Sequence, residues 1–183
     1  MGGMLATEPA LERPDLLAEP VLAGLRALPP ELARAALVAP IDPDLADTAA
    51  FCAAYGVALA DSANCVVVAG RRGEATRYAA CVLPATTRAD VNGLVRRRLD
   101  ARKASFAPMD DAVARTGMAY GGITPIGLPA DWPVLVDARI GADQQVIVGS
   151  GVRHSKLRVP GRLLAALTGA EVVDGLGSEV TDR

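Results

Sequence analysis

The chain has 183 residues, 51% of them apolar and 22% charged, with a formal net charge of −2. That is enough for one ordinary domain with its own core, and it argues against global disorder. A single histidine, His154, excludes an HExxH zinc enzyme or a multi-histidine iron site, and 3% aromatics weakens any reading built on stacking platforms for single strands.

Residues 1–13 are small, polar and flanked by proline, and predict a loose tail. Leu16, Leu17, Val21, Leu22, Leu25 and Leu28 recur at helical spacing. Pro20 predicts a helix start nearby, and Pro29-Pro30 predict its end. Residues 44–55 read as a second helix, with Asp44 or Asp47 as cap and Gly56 closing it. Residues 48–70 carry only Asp61 as a charge. The stretch nevertheless changes from Ala-rich to Val-rich around Gly56, Asp61 and Asn64, so it predicts a helix, a turn and a buried strand rather than a membrane span.

Cys65–Ala69 and Thr76–Leu83 predict a hairpin turning at Gly70–Gly73. Asp90 caps a predicted helix through Leu99, Lys103–Ala107 a strand, and Asp110–Thr116 a helix closed by Gly117. Strands follow at Val134–Asp137, Gln145–Gly149, Leu157–Val159 and Ala170–Val173, with a helix at 160–168. Hairpins mixed with scattered helices predict an α+β fold with a mixed, partly closed sheet and a short helical N-terminal extension. The expected division is 1–43 extension, 44–176 domain and 177–183 tail.

Cys52, Cys65 and Cys81 have no metal-ligand spacing. Their odd number, with no basic-then-apolar leader, predicts a reducing cytoplasm; no metal, cofactor or membrane partner is expected. Charge is uneven. Residues 1–50 hold three Arg against eight Asp/Glu, whereas residues 71–103 hold nine Arg/Lys against three Asp/Glu. The basic third is either a solvated face or a phosphate-backbone footprint centred on Arg96, Arg97, Arg98, Arg102 and Lys103.

The densest unusual segment is Thr116-Gly-Met-Ala-Tyr-Gly-Gly-Ile-Thr-Pro-Ile-Gly127. Its glycines and proline suit a sharp loop that offers backbone N–H groups to a ligand; a plain tight loop is the alternative. The segment resembles the Gly-Gly-Ile-Ser-Pro motif of the YbaK/ProX family of aminoacyl-tRNA deacylases. Further similarities run in order over roughly 45–175: Ala-Ala-Tyr-Gly-Val57, Cys65–Ala69, Val82-Leu-Pro84 with the basic helix, Arg102-Lys-Ala-Ser-Phe-Ala107, Val134-Leu-Val-Asp137, and Val148-Gly-Ser-Gly151 with Leu157-Arg-Val159.

The resemblance implies hydrolysis of the ester joining an amino acid to the 3′ end of a mischarged tRNA, of the tRNA(Pro) type, with a prolyl-tRNA synthetase as possible partner. It implies a pocket between Gly121–Pro125 (with Gly122, Ile123 and Thr124 between), Asn64 and the turn Gly149-Ser150-Gly151. Amides at Gly121 and Gly122 would hold the ester carbonyl. One departure stands out: Asn64 occupies the place where the family has a lysine. Either another cation substitutes, with Arg153, Lys156 or Arg102 nearest, or the chain is a weak or inactive module that binds an aminoacyl or nucleotide ligand or a synthetase. An unrelated esterase using Ser150 or Cys65 is a third reading. A triad of a serine with His154 and Asp137 lacks the G-x-S-x-G frame. Cys65 has no base or cation beside it in sequence, and Trp132 suits either a pocket rim or packing on the sheet.

Overall fold

The computed structural model describes residues 5–180. β1 (Glu8–Pro9) leads through two 3-10 turns into α1 (Glu19–Arg26), α2 (Pro30–Ala35) and β2 (Leu37–Pro40). α3 (Thr48–Tyr55) follows, then the hairpin β3 (Ala63–Arg72) and β4 (Ala75–Pro84), β5 (Thr87–Ala89) and α4 (Arg96–Arg98). β6 (Lys103–Phe106), α5 (Met109–Thr116), β7 (Val134–Asp137), β8 (Gln145–Gly149) and β9 (Ser155–Pro160) carry the chain to α6 (Gly161–Ala165), β10 (Ala170–Val173) and β11 (Gly177–Glu179).

Local chemistry explains most boundaries. Pro20 sits in the first turn of α1, where a missing N–H leaves no bond unmade. α1 stops at Arg26, and Pro30 opens α2 rather than merely ending α1. Asp47, not Asp44, caps α3, accepting from the N–H groups of Ala49 and Ala50. Gly56 and Gly117 close α3 and α5 in the left-handed region. The β3–β4 strands extend further than the Gly70–Gly73 turn predicted, because Arg71 pairs with Thr76 and Arg72 with Ala75. Asp90 caps as expected, but residues 91–95 form a π-helical turn before α4. The expected tails are partly structured: β1 pairs with β2, and β11 pairs with β5. Residues 1–4 and 181–183 lie outside the described residues.

The fold is α+β, as predicted. An antiparallel sheet has the order β1-β2-β9-β8 and a mixed sheet the order β10-β7-β4-β3-β6. A bridge between Ser62 and Ile147 joins them on one side without closing a barrel. The mixed sheet is covered on both faces. Val68, Ala79, Cys81 and Leu83 pack under Val95 and Leu99 of the basic segment. On the opposite face, Ala80, Val82, Val134 and Val136 pack with Val21, Leu25 and Val38 of the N-terminal segment, and Val67 packs with Ala112 and Trp132. Trp132 stacks on Tyr78 at 5.1 Å, so it packs on the sheet rather than lining a rim.

The N-terminal segment is therefore built into the core, and α1 also braces the glycine-rich loop. A Cβ on Gly24 of α1 would lie 2.7 Å from the nitrogen of Gly127. One on Gly127, whose φ is +84°, would lie 2.1 Å from the carbonyl oxygen of Pro20. Side chains at either position would push helix and loop apart. In an exposed helix, Gly→Ala stabilises by about 0.5–1 kcal/mol, whereas overpacking a tight contact costs about 1–3 kcal/mol. The second effect should win here: Gly24→Ala is expected to lower stability by about 1–2 kcal/mol in urea unfolding. A variant more stable than the parent would show that helix and loop are not in contact.

Candidate active site

β6 pairs with β3 only over residues 68–71, so the first half of β3 is an open edge. A cleft of about 520 Å³ forms along that edge. Its walls are Asn64–Val67 of β3, Ala46–Thr48 at the start of α3, Phe106, Met109 and Ala112 around α5, Tyr120, Gly121 and Ile123 of the glycine-rich loop, and Gly149 and Lys156 of β8 and β9. A roomier hollow of about 650 Å³ lies near Tyr55, Asp61, Gln144 and Arg158. None of the motif residues lines it, so the chemistry belongs to the smaller cleft.

Of the residues singled out from sequence, Asn64, Gly121, Ile123 and Gly149 line this cleft. The loop's amides are not equivalent. Gly122 N–H donates to the Ala119 carbonyl at 2.9 Å and is engaged within the turn. No acceptor is found for the N–H of Gly121 or Ile123 among the described residues. Of the two amides expected at Gly121 and Gly122, the one at Gly122 is therefore engaged; Tyr120, which also lines the cleft, shares with Gly121 and Ile123 an N–H for which no acceptor is found among the described residues. Gly121 has φ +82°, which an L side chain adopts only with strain. Gly149 lies so close beneath the loop that a Cβ would be 2.5 Å from the carbonyl oxygen of Gly122.

Other expected residues sit behind the cleft. The Ser150 hydroxyl is buried and bonded to the Ser155 hydroxyl at 2.6 Å and to the Ser155 carbonyl at 3.1 Å, so it serves the turn. Gly151 holds the loop through its backbone, its N–H donating to Gly122 O at 2.7 Å and its carbonyl accepting from Ala119 N at 2.8 Å. Thr124 and Pro125 are buried, and Thr124 Oγ1 has no hydrogen-bond partner. Asp137 is buried and accepts from the N–H groups of Arg139 and Gly177, a structural role. His154 contacts the Asp15 carbonyl at the surface. Cys65 lines the cleft, but burial pushes its thiol far above the ordinary value, which removes the thiolate a nucleophile needs.

The basic residues are not in the cleft. Arg96 Nε donates to Asn92 O at 2.7 Å, and Arg98 pairs with Glu171. No side-chain partner is found for Arg97, Arg102 or Lys103 among the described residues. The segment carrying Arg96–Arg98 covers the sheet face opposite α5.

Two features of the cleft escaped the sequence reading, and a third concerns Lys156, one of the three cations named there as substitutes for the family lysine. Thr48 Oγ1 donates to Asn64 Oδ1 at 2.7 Å, which orients the amide and leaves its Nδ2 without a protein partner among the described residues. Phe106 and Tyr120 are 59% and 58% exposed at the cleft mouth, so a chain poor in aromatics still presents two of them there. Lys156 is only 7% exposed; its Nζ donates to Ala46 O at 2.8 Å and lies 5.5 Å from the centre of the Phe51 ring. Burial is the main cause that holds its pKa below the ordinary lysine value.

No helix among the described residues is long and apolar enough to cross a membrane. No curated protein matches the sequence. Among solved structures, the chain is similar to a proposed trans-editing enzyme for prolyl-tRNA synthetase, with a TM-score of 0.69 and 22% identity over 86% of this chain and 94% of that one. It is also similar to hypothetical protein APE2540, with a TM-score of 0.65 and 24% identity over 77% and 90% of the two chains. At these identities the likeness speaks for the fold. The model of the aminoacyl-tRNA editing domain matches residues 42–167, a span that holds the whole β3–β9 frame around the cleft. The chain belongs to the aminoacyl-tRNA editing domain family.

Proposed function

We propose that the protein is a free-standing hydrolase that removes the amino acid from a mischarged tRNA, with tRNA(Pro) carrying Ala, Cys or Ser as the substrate class to try first. The observation that carries this reading is a cleft bordered by three residues of the glycine-rich loop, Tyr120, Gly121 and Ile123, for whose N–H groups no acceptor is found among the described residues. Such donors are suited to a carbonyl oxygen that gains charge during attack, and one is worth about 3–4 kcal/mol in a water-poor site. In the step itself, a water oxygen bonds to the ester carbon, the bond from that carbon to the ribose oxygen breaks, and the water's proton ends on the ribose hydroxyl. No protein nucleophile is needed, which agrees with the raised Cys65 thiol and the buried Ser150.

The wall residues Ala46, Ala63, Cys65 and Val67 are small and apolar, in keeping with a small acyl group. Phe106 and Tyr120 would stack the terminal bases. Arg102 and Lys103, at the start of β6, would meet backbone phosphates. A second reading, a binding module without catalysis, is favoured by Asn64 at the family's lysine position and by the engaged Gly122 amide. It keeps an aminoacyl or nucleotide ligand, or a prolyl-tRNA synthetase, as the partner.

Incubation with a panel of mischarged tRNAs separates the two. Release of free amino acid is expected for at least one small-side-chain substrate, and no release from any member would leave only the binding module. Gly121→Ala strains a left-handed residue and puts a Cβ 2.6 Å from Arg153 Nη1. It is expected to slow single-turnover hydrolysis at least about tenfold, the effect of about 1.4 kcal/mol in the barrier. Phe106→Ala and Tyr120→Ala should each raise KM about 5–150-fold, from about 1–3 kcal/mol of stacking per base, while melting temperature stays put. Unchanged KM would remove the stacking role. Replacing Arg97, Arg102 and Lys103 together by Gln should weaken tRNA binding and flatten its dependence on salt, by roughly 0.7–0.9 in the log–log slope per lost phosphate contact. An unaltered slope in the folded variant would confine tRNA contacts to the cleft.

A further inference from the structure

Lys156 stands out in the cleft because its burial is only partly compensated. An ammonium has three donors, and one is used on Ala46 O. No carboxylate pairs with it among the described residues. The nearby carboxylate of Asp47 is engaged in capping α3. Burying an unpaired charge is strongly unfavourable, and an apolar chain of the same length would cover Phe51 without that penalty. The position is also specific. Lys156 pairs directly with Gly149 on β8, which has no side chain and underlies the glycine-rich loop, and with Ala39 on β2, which contributes only a methyl group, so both cross-strand neighbours leave room for the lysine side chain.

The other cations near the site are engaged or remote. Arg153 donates to the carbonyl oxygens of Tyr120 and Pro43 and does not line the cleft. Arg102 sits where its backbone meets Arg71, at the far end of β6. We propose that Lys156 is the cation of this site, supplying from β9 the charge that is missing at Asn64, and that it binds an anionic oxygen at the acyl-bearing end of the substrate. This rests on the hydrolase reading for the identity of the substrate. The oxygen is either a phosphate oxygen of the 3′-terminal nucleotide or the oxyanion that develops on the ester carbonyl. Asn64 Nδ2, oriented by Thr48, then serves as a neutral donor beside it.

Two variants and two ligands test this. Lys156→Met keeps length and apolar bulk without charge; Lys156→Arg keeps charge. In single-turnover deacylation, Lys156→Met is expected to lose at least about 100-fold in kcat/KM while its melting temperature equals or exceeds that of the parent, and Lys156→Arg to recover part of the loss. Calorimetry with adenosine 5′-monophosphate and with adenosine identifies the oxygen. If it is the phosphate, the parent prefers the nucleotide and Lys156→Met loses that preference, with the kinetic loss in KM. If it is the oxyanion, both proteins bind the two ligands alike and the loss is in kcat. Should the parent hydrolyse no aminoacyl-tRNA yet prefer the nucleotide through Lys156, the hydrolase reading falls and the cation stands. Activity of Lys156→Met within threefold of the parent would overturn the proposal. So would a parent with neither hydrolysis nor nucleotide preference, or a loss that merely follows unfolding in both variants.

Discussion

The site depends on a small set of backbone hydrogen bonds that tie the glycine-rich loop to the turn after β8. Ala119 N donates to Gly151 O, Gly151 N to Gly122 O, and Gly122 N to Ala119 O, all between 2.7 and 2.9 Å. These bonds fix the loop's shape without any side chain, and they decide which amides remain for a ligand. Gly122 is inside the lattice of bonds; Tyr120, Gly121 and Ile123 are on its border. Preset donors do not have to reorganise when charge appears, and this is what gives them value over water. The same logic explains why Ser150 is not free to react. Its hydroxyl is bonded to Ser155, whose own hydroxyl reaches the Leu16 carbonyl, so the turn is tied to the N-terminal segment.

That segment is best understood as a brace. Gly24 and Gly127 bring helix backbone and loop backbone into direct contact, and Gly151 packs where a Cβ would lie 2.4 Å from Ala18. Interiors transmit such strain because they are close-packed. A loop clamped between β8–β9 on one side and α1 on the other keeps its free amides in one orientation. Residues before the family-matched span therefore support the cleft although none of them lines it.

Much of this was legible from local pattern. The caps at Asp47, Gly56 and Gly117, the β3–β4 hairpin and the glycine-rich loop all follow from short-range chemistry. The rest depends on contacts that sequence spacing does not carry. Leu37–Pro40 lies between prolines and looks like a connector, yet it pairs with β9 more than a hundred residues on. Alternation in β9 puts Ser155, Leu157 and Val159 on one face, which predicts Lys156 and Arg158 at the surface. Arg158 is exposed, but Lys156 is covered because the start of α3 and Phe51 lie over that end of the strand. Composition is likewise silent on where the few aromatics sit: Phe106 and Tyr120 are both exposed at the cleft. For the basic segment, charge counting could not see that Arg96 and Arg98 are already engaged.

The two ends of β6 relate these features to one another. Lys103 pairs with Arg71 near the hairpin tip, and Phe106 pairs with Val68 beside the cleft. At about 3.3 Å per residue the strand spans roughly 10 Å, a short reach for a nucleic-acid backbone. A single strand stacked on Phe106 would thus run outward along an edge that ends in Arg102 and Lys103, whereas Arg97 lies on the covered opposite face of the sheet. Electrostatic attraction at the outer end would be long-range and weakened by salt, because those side chains are in solvent. The interaction at Lys156 would be short-range and weakly screened, because burial has already removed the water. The charge on this edge therefore divides into an outer, exposed part that would gather a polyanion without discrimination and an inner, buried part that would act only on an atom seated in the cleft. On the hydrolase reading, selectivity would then lie with Lys156, Asn64 and the loop amides rather than with the arginine-rich segment.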